Sequence, residues 1–347
     1  MSLTGRHSVF QIHPTRRCNL ACQHCYSQSG PDVTETLPVA DVLGAVADGA
    51  SLGYNVLGVS GGEPLLYKAL PDVLDLAKAL GMRTTVTTNA MLLTDAWVAK
   101  LAGRVDVLAV SLDGTPESHV RMRNHPNAFT ALERNVARLS DSGIGFGFIT
   151  TLTQHNVDQL AWVADFAVSQ GASLLQVHPL ELEGNAAHCL AESIPDELEM
   201  LFAAVETVRL RSLGSLHVQL DINTRTDLQQ NPERYFVQDG RTTPAGFEER
   251  FRNKSLASWL SPLVLETSGR VVPLTYGFSD RYALGSIGTE SLADLAAKWN
   301  PTPFLELATD VWKQLTTNTS PAMCNWYESM TIASRQPIHV YSDSAPR

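Results

Sequence analysis

The sequence has no long apolar run and no excess of positive charge. No stretch of its 347 residues approaches the roughly 20 apolar residues that a membrane-spanning helix needs. The 36 acidic residues outnumber the 26 basic ones, and the net charge of -10 argues against a broad nucleic-acid-binding surface. The start, MSLTGRHSVFQIHPTRR, lacks the apolar block of a signal peptide. We therefore expect a cytoplasmic protein with no membrane partner and no nucleic-acid partner.

Cysteine is also scarce, and its distribution is uneven. There are five cysteines, and three of them, Cys18, Cys22 and Cys25, lie within eight residues. An odd number with this spacing argues against a disulfide framework and favours reduced thiols. Hydrophobic residues make up 44% of the chain and charged residues 18%, as is usual for a globular protein. The length suits one large domain, or one domain with a smaller appendage.

What the sequence does contain is a regular alternation of β-rich and helical patterns up to about residue 180. The β-rich runs are VFQIH, NVLGVS, RTTVTT, VDVLAVS, GFGFITTL and SLLQVHPL. Strands joined by helices form parallel sheets through right-handed crossovers. Six units are fewer than the eight of a closed barrel, so the alternation predicts an α/β fold with a partial (β/α)6 barrel. Functional groups are then expected in loops at the carboxyl ends of the strands.

The alternation ends after residue 180. The run SPLVLETSGRVVPLTYG predicts a β-hairpin that turns at Ser268 and Gly269. We therefore predict two parts, a barrel over residues 1–222 and a small α+β extension over 223–347. Residues 235–251, YFVQDGRTTPAGFEERF, mix aromatic and charged side chains as binding loops do, although a surface loop without a partner is equally compatible.

The cysteine loop follows the first predicted strand and has the spacing Cys-x3-Cys-x2-Cys. Structural zinc sites usually have four protein ligands, and iron–sulfur clusters usually have four thiolates. Three thiols in one loop would leave one coordination position open for another molecule. Two other interpretations remain at this point: a zinc site completed by His13 or His24, and three unligated core cysteines.

The segment CNLACQHC resembles the signature of the radical S-adenosylmethionine (radical SAM) superfamily. The resemblance implies a 4Fe–4S cluster held by Cys18, Cys22 and Cys25. Its fourth iron would chelate the amino and carboxylate groups of S-adenosylmethionine (SAM). Transfer of an electron would then cleave the S–C5′ bond and give a 5′-deoxyadenosyl radical that abstracts hydrogen from a substrate. The resemblance also implies an electron donor such as a flavodoxin or ferredoxin.

Further strand-end motifs follow in the order of this family. GGEP resembles the loop that binds the SAM amino group, and it supplies Gly61, Gly62 and Glu63. TTNA resembles a Thr-Asn-Gly segment near the ribose, which implies roles for Thr88 and Asn89, although Ala90 stands where glycine is usual. Taken alone, Gly-Gly is more often an ordinary turn.

Three more motifs complete the implied SAM site. SLDG resembles the segment that places Ser111 and Asp113 near the cofactor, although Asp-Gly also suits a simple turn. RMRNHPNAF resembles a stretch whose arginine, here Arg123, reaches the SAM carboxylate; a surface arginine is the alternative. In this stretch Asn124 and Asn127 stand where glycine is common. His24 lies where the family has an aromatic residue whose backbone contacts the adenine.

The tail LVLETSGRVVPLTYGFSDRYALGSI resembles the start of the C-terminal extension called SPASM. Leu274 stands where that extension has its first cluster-binding cysteine. Because only Cys189 and Cys324 remain outside the first loop, we expect a degenerate SPASM-like cap without an auxiliary cluster. Cys324 is a candidate hydrogen donor to a product radical, and the alternative is a small buried apolar side chain.

The resemblance leaves the substrate open. We favour a small sugar or nucleoside in antibiotic-type biosynthesis, changed by decarboxylation, epimerisation, dehydration or dehydrogenation. Two expectations support this preference: about ten residues before the first strand leave no room for a leader-binding domain, and no auxiliary cluster is available to accept an electron. One alternative is a maturase of a ribosomally made peptide that uses a separate leader-binding partner. Another is a non-catalytic iron–sulfur or zinc protein.

Overall fold

A computed structural model of the protein describes residues 7–237 and 254–336. The strands are β1 (Val9–Ile12), β2 (Val56–Val59), β3 (Arg83–Thr88), β4 (Val107–Ser111), β5 (Phe146–Leu152), β6 (Leu174–Pro179), β7 (His217–Leu220), β8 (Asn223–Thr224), β9 (Leu263–Leu265), β10 (Arg270–Pro273), β11 (Gly285–Ser286) and β12 (Met323–Cys324). The helices are α1 (Val39–Ser51), α2 (Leu70–Ala79), α3 (Asp95–Leu101), α4 (Pro116–Arg123), α5 (Ala128–Val136), α6 (Leu160–Ser169), α7 (Ala186–Cys189), α8 (Glu197–Ser212), α9 (Arg225–Gln230), α10 (Leu292–Lys298), α11 (Thr302–Leu315) and α12 (Trp326–Ser334).

Most strands belong to one ten-stranded sheet with the order β11-β10-β9-β1-β2-β3-β4-β5-β6-β7. Strands β1 to β7 are parallel neighbours in chain order, and helices cross between them. The α/β fold with a mostly parallel sheet is thus confirmed. The sequence count of six strand units is one too low, because β7 pairs in parallel with β6 and α8 is the crossover between them. Its sequence, HVQL, has polar residues at alternate positions and therefore gives only a weak apolar signal.

The two faces of the parallel sheet differ in character. Residues that lie opposite each other on neighbouring strands point to the same face. One face is the concave side of the partial barrel, which we call the lumen, and its half-buried positions include Gln11, Thr85, Thr87, Ile149, Thr151, Gln176 and His178. The other face is apolar and packs against the helices through Phe10, Ile12, Leu57, Val86, Leu108 and Val110. Polar chemistry is therefore concentrated in the lumen and at the strand ends.

The C-terminal part of the chain adds to the same sheet. The predicted hairpin is present as β9 and β10, and Gly269 at its turn has φ +86°. Strand β9 pairs in parallel with β1, so β1 has neighbours on both sides. The predicted division at residues 222 and 223 stays a prediction, as does the degenerate SPASM-like cap. Residues 238–251 of the predicted binding loop lie outside the described residues. Among the described helices, none has the length and apolar character to cross a membrane.

Candidate functional site

The cysteine loop begins at the carboxyl end of β1 and is braced by the GGEP loop that follows β2. Gly62 N donates to Thr15 O at 2.8 Å, and Glu63 N donates to Arg17 O at 2.9 Å. A Cβ atom on Gly62 would lie 2.2 Å from Arg17 O, and Gly61 has φ +117°. Both glycines are thus needed for the close approach of two backbone segments. Their contact with a SAM amino group stays a prediction.

Glu63 is fully buried and connects the GGEP loop to the TTNA segment. Its carboxylate accepts from Leu65 N at 3.1 Å, from Thr88 Oγ1 at 2.8 Å and from Asn89 N at 2.9 Å. Burial raises the pKa of this carboxyl group. These bonds use three of the roughly four acceptor positions of a carboxylate, so Glu63 retains capacity for one further donor such as an ammonium group. Thr88 is turned away from the lumen and supports Glu63.

The TTNA segment faces the cysteine loop through Asn89. The Asn89 side-chain amide donates to Asn19 Oδ1 at 3.0 Å and lies 3.9 Å from Cys18 Sγ. Ala90 has φ +58°, and Asn124 has φ +51°. This left-handed region favours glycine, which gives a physical reason for the glycine usual at both positions in the pattern that the sequence resembles.

An ion pair between Asp113 and Arg123 lies beside the second cysteine. Arg123 Nε is 2.7 Å from Asp113 Oδ2, but the Nε–H bond does not point at this oxygen, so the contact is an ion pair and not a hydrogen bond. Both side chains are buried. Burial would raise the pKa of Asp113, but the Arg123 charge outweighs it and holds that pKa below its ordinary value. Thr151 N donates to Asp113 Oδ1 at 3.2 Å, while Arg123 Nη1 lies 3.9 Å from Cys22 Sγ. Arg123 is therefore fixed next to the cysteine loop.

Ser111 and His24 complete the predicted SAM contacts. Ser111 lies at the end of β4, opposite Ile149 on the lumen side of the sheet. His24 is half-buried in the cysteine loop, and burial lowers its pKa to about 4, so its imidazole is neutral at pH 7. Its Nδ1 atom is buried and has no hydrogen-bond partner among the described residues. The preceding residue anchors the loop to α4, since Gln23 N donates to Met122 O at 2.9 Å.

The three thiols of the cysteine loop lie in a buried, partly acidic environment. Burial, then the charge of Glu63 and the neighbouring thiols of Cys22 and Cys25, raises the pKa of Cys18 to about 12. In the described part of the chain no three His, Cys, Asp or Glu side chains are placed to hold one ion. Ligands of zinc all lie about 2.0–2.3 Å from one atom, whereas cluster thiolates bind different irons. A cluster on these thiols and a zinc site completed by His13 or His24 both stay predictions.

Residues from distant parts of the chain also contact the cysteine loop, and sequence reasoning missed them. Asn185 N donates to Cys25 O at 2.9 Å, and Asn185 Nδ2 donates to Cys22 O at 3.0 Å. A Cβ atom on Gly184 would lie 2.4 Å from Cys25 O. The pair Gly184-Asn185 follows β6, so its position at a strand end was the available signal.

Three aromatic rings meet beside the third cysteine. The ring of His13 lies 4.8 Å from that of Tyr276 and 5.7 Å from that of Tyr26, and the two tyrosines are 5.6 Å apart. Tyr26 is only one residue from Cys25, but Tyr276 comes from the C-terminal part, and nothing in the sequence pattern marked it. The C-terminal part therefore reaches the cysteine loop.

On the other side of the lumen a histidine–carboxylate pair joins β6 and β7. His178 Nδ1 lies 2.5 Å from Asp221 Oδ2, and Asp221 also accepts from the side chains of Gln176 at 3.1 Å and Gln219 at 2.8 Å. Burial opposes protonation of His178, but the bond to Asp221 outweighs it and raises the pKa of His178. Sequence analysis did not select His178 as a site residue, because a single histidine in a strand is more often part of a core.

Cys324 lies in β12, and its thiol contacts a backbone carbonyl group. Strand β12 pairs with β8, and Cys324 Sγ lies 3.7 Å from Asn223 O. The next residue, Asn325, donates to Glu181 Oε1 at 3.1 Å, so the segment touches the loop after β6. Burial raises the pKa of the Cys324 thiol to about 11, which keeps it protonated at pH 7. A hydrogen-donor role for Cys324 stays a prediction.

A separate cavity of about 220 Å³ lies outside this site. Its lining residues are Gln23, Ser118, Arg121, Met122, Thr153, His155, Asn156, Cys189, Leu190 and Ser193. None of the thirteen predicted site residues is among them. The cavity does touch the cysteine loop at Gln23, which lies between Cys22 and His24.

Sequence comparison places part of the chain among known proteins. The sequence model of the Radical SAM superfamily matches residues 12–167. Over 236 residues the chain is 30% identical to an Fe-coproporphyrin III synthase of Methanosarcina barkeri, covering 63% of this chain and 58% of that protein. Over 246 residues it is 26% identical to a PqqA peptide cyclase of Xanthomonas campestris pv. campestris, covering 70% of this chain and 63% of that protein. A segment of 114 residues, 31% of this chain, is 34% identical to an S-adenosylmethionine-dependent nucleotide dehydratase of Lacinutrix mariniflava and covers 24% of it.

The fold is also that of solved radical SAM structures. The structure of anSMEcpe with bound AdoMet and a peptide superposes with a TM-score of 0.63 and 16% identity, covering 95% of this chain and 96% of that one. At this identity the likeness shows the fold alone. The chain spans about half the length of the curated relatives that it matches first.

The fold and the matched segment define the class: the chain contains a radical SAM domain. Members of this superfamily use a 4Fe–4S cluster and SAM.

Proposed function

We propose that the chain is a radical SAM enzyme that holds a 4Fe–4S cluster on Cys18, Cys22 and Cys25 and binds SAM at the open iron. The observation that carries this proposal is the cysteine loop at the carboxyl end of β1, braced by the GGEP loop and joined by Asn185. The cluster with SAM would supply a radical that abstracts hydrogen. The rest of the chemistry depends on how the chain binds, orients and shields the reactants.

The chain's own residues are arranged for this task. Asn89, just after β3, and Arg123, at the end of α4, both approach the cysteine loop. Glu63 is held by three donors and retains acceptor capacity for an ammonium group. Arg123 carries a charge that the buried Asp113 fixes in place, and it is suited to a carboxylate. One acceptor and one cation near the same loop match the two ends of an amino acid such as the methionine moiety of SAM.

For the substrate we propose a small molecule, with a sugar or nucleoside as the favoured class. The support is that the relatives above include a nucleotide dehydratase and an Fe-coproporphyrin III synthase, whose names denote small-molecule substrates. A ribosomally made peptide is the second candidate, favoured by the PqqA peptide cyclase and by the peptide in the anSMEcpe structure. Peptide maturation would require a separate leader-binding partner. Both the small-molecule reaction and peptide maturation would require an electron donor such as flavodoxin or ferredoxin.

We also propose that His178 is the proton-transfer group for the substrate. It lies on the lumen side of β6, and Asp221 holds its Nδ1 atom at 2.5 Å. This arrangement fixes the ring and leaves Nε2 for a second partner, as in other carboxylate-oriented histidines. Dehydration and decarboxylation of a substrate radical both involve proton transfer, so a titratable lumen group suits these two reactions.

The test is anaerobic reconstitution with iron and sulfide. The wild type should bind about four irons per chain by the stoichiometry of the proposed cluster and show broad visible absorbance. After reduction it should release 5′-deoxyadenosine from SAM. Cys18→Ala, Cys22→Ala and Cys25→Ala should each lose iron and SAM cleavage, while Cys189→Ala, at an exposed thiol outside the loop, should keep both.

Other outcomes would separate the alternatives. Bound zinc without colour would support a zinc protein. A stable cluster whose spectrum does not change on addition of SAM would support a non-catalytic iron–sulfur protein. Incubation of the reconstituted enzyme with nucleotide sugars, nucleosides and candidate precursor peptides, followed by mass spectrometry, would decide between the substrate classes. Turnover of a peptide alone would reverse the order proposed here.

A further inference from the structure

Helix α8 exposes a second apolar face that neither the core nor the proposed site explains. Its buried residues, Ala203, Thr207 and Leu210, pack toward the barrel. The opposite side carries six large apolar side chains, which we call the α8 stripe: Leu198 (75% exposed), Leu201 (48%), Phe202 (48%), Val205 (63%), Val208 (64%) and, just past the helix end, Leu213 (60%). Spacings of three and four residues place most of them along one line of the helix surface.

The α8 stripe is large for a surface that faces water. If each aliphatic or aromatic side chain has on the order of 100–200 Å² of surface, the exposed part amounts to roughly 350–700 Å². This is the size of the largest apolar patch on a typical monomer, about 300–600 Å². It also approaches the roughly 800 Å² per partner of a standard protein–protein interface, with only a polar rim to be added. Helix α8 is the crossover between β6 and β7 and packs against α6, so the stripe faces outward from the barrel.

The shape of the stripe fits a second copy of this chain. A two-fold interface must be self-complementary, because the same surface is used on both subunits. The stripe runs from Leu198 to Leu213 with Val205 at its middle. If two α8 helices pair antiparallel about Val205, the N-terminal half of each stripe covers the C-terminal half of the other.

Charge at the two helix ends favours the same antiparallel arrangement. The start of α8 is acidic, with Asp196, Glu197 and Glu199, whereas its last turn is basic, with Arg209 and Arg211. Antiparallel pairing brings each acidic end to a basic end and also opposes the two helix dipoles. Parallel pairing would instead bring like charges together. Within the subunit Arg209 also pairs with Glu206, and Glu197 accepts from Ala322 N, so the charge at the helix ends favours the antiparallel pair over the parallel one without fixing it alone.

We propose that the protein forms a two-fold symmetric homodimer in solution through the α8 stripe, with the two α8 helices antiparallel. The interface uses only the outward side of α8, so the dimer leaves the cysteine loop and the lumen of each subunit open. This proposal is independent of the catalytic one.

Sedimentation equilibrium of the full chain tests the proposal. The wild type should be a dimer at micromolar concentration. Val205→Asp places two carboxylates at the two-fold axis and should raise the dissociation constant at least 100-fold. Val39→Asp is the matched control, because Val39 is an exposed valine at the start of α1, 40% exposed, and should leave the dimer unchanged. A monomeric wild type at 100 μM would overturn the proposal, as would a dimer that Val205→Asp does not weaken.

Cross-linking tests the antiparallel geometry. Packed helices lie about 8–10 Å apart, so in the antiparallel pair the two copies of position 205 would be about 10 Å apart. A helix rises about 1.5 Å per residue, and position 198 lies seven residues from the two-fold axis in each subunit. The two copies of position 198 would therefore be more than about 20 Å apart. In a Cys189→Ser background, Val205→Cys should form covalent dimers with a short bismaleimide and Leu198→Cys should not. The background protein alone gives the control. Cross-linking at position 198 but not at 205 would contradict the antiparallel pair.

Discussion

Replacing Gly62 by alanine should separate the GGEP loop from the cysteine loop, which together form the candidate cluster site. The added Cβ would lie 2.2 Å from Arg17 O and 2.9 Å from the Arg16 carbonyl carbon. Ordinary contacts between carbon and oxygen are longer than 3 Å, so the cysteine loop has to move by about 1 Å, and both obstacles are backbone atoms without a rotamer to change. The shift acts directly on the segment that ends at Cys18.

The expected cost combines two effects. Overpacking of a tightly packed interior costs about 1–3 kcal/mol. The hydrogen bonds from Gly62 N to Thr15 O and from Glu63 N to Arg17 O would also be distorted, at about 0.5–1.5 kcal/mol each. We therefore expect Gly62→Ala to lower the free energy of unfolding by about 2–6 kcal/mol and to reduce the iron bound after reconstitution.

The assay is urea denaturation of the metal-free protein together with iron content and visible absorbance after reconstitution. Gly44→Ala is the matched control, because no atom lies within 4 Å of the added Cβ and the site is inside α1. That substitution should leave iron binding unchanged and stabilise the chain by about 0.5–1 kcal/mol. A Gly62→Ala protein with wild-type iron content and a stability within about 0.5 kcal/mol of the wild type would refute the packing argument.

Three further predictions follow from other residues. Ala90→Gly should change the free energy of unfolding by less than about 1 kcal/mol, because relief of about 1–2 kcal/mol of left-handed strain is offset by the chain entropy of glycine and by loss of the buried methyl group. A loss of more than about 2 kcal/mol in urea denaturation would show that the left-handed backbone at Ala90 is not strained. Arg123→Met should destabilise the chain by about 3–5 kcal/mol, because it leaves Asp113 buried without its partner. The double variant Arg123→Met, Asp113→Asn should recover part of this loss. Equal stability of the single and double variants would count against the ion pair. Asp221→Asn should lower the pKa of His178, measured from the ring protons by NMR. The folded pKa of His178 is raised, so its contribution to stability is full below the ordinary value near 6.5 and is lost as the pH rises through the folded pKa. The difference in unfolding free energy between the wild type and Asp221→Asn should therefore shrink from pH 6 to pH 9. A constant difference would argue against this ion pair as the cause.

Local sequence patterns predicted the parallel sheet and the order of its strand-end motifs. The cysteine loop, GGEP and SLDG each lie within a few consecutive residues next to a strong β-rich run, so their position at one edge of the sheet follows from the fold. Strand β7 escaped prediction because its four residues alternate with His217 and Gln219 and lack a continuous apolar signal. Helix α4 was also missed, since PESHVRMR is mostly polar and its buried residues do not form an apolar stripe.

The internal bonding of the candidate site could not be predicted from sequence. Glu63 was expected to bind a ligand directly, yet three of its acceptor positions serve Leu65, Thr88 and Asn89. That use depends on how two loops meet, and spacing along the chain does not encode it. The positions of Tyr276 and Asp221 depend on contacts between distant segments in the same way. The sequence shows which residue types are present, but it does not show which residues they contact in the fold.

Strand β9 has a consequence for the order of events during synthesis. Leu265 O accepts from His13 N at 2.9 Å, and Thr267 Oγ1 donates to His13 O at 2.7 Å, so the residue that leads into the cysteine loop is held by a segment about 250 positions later. At about 5–20 residues per second, a ribosome needs roughly 10–50 s to make that distance. Throughout this interval the open edge of β1 is a hazard for wrong pairing with other chains. Iron delivery to the nascent protein is therefore best timed after β9 has been made and has paired with β1.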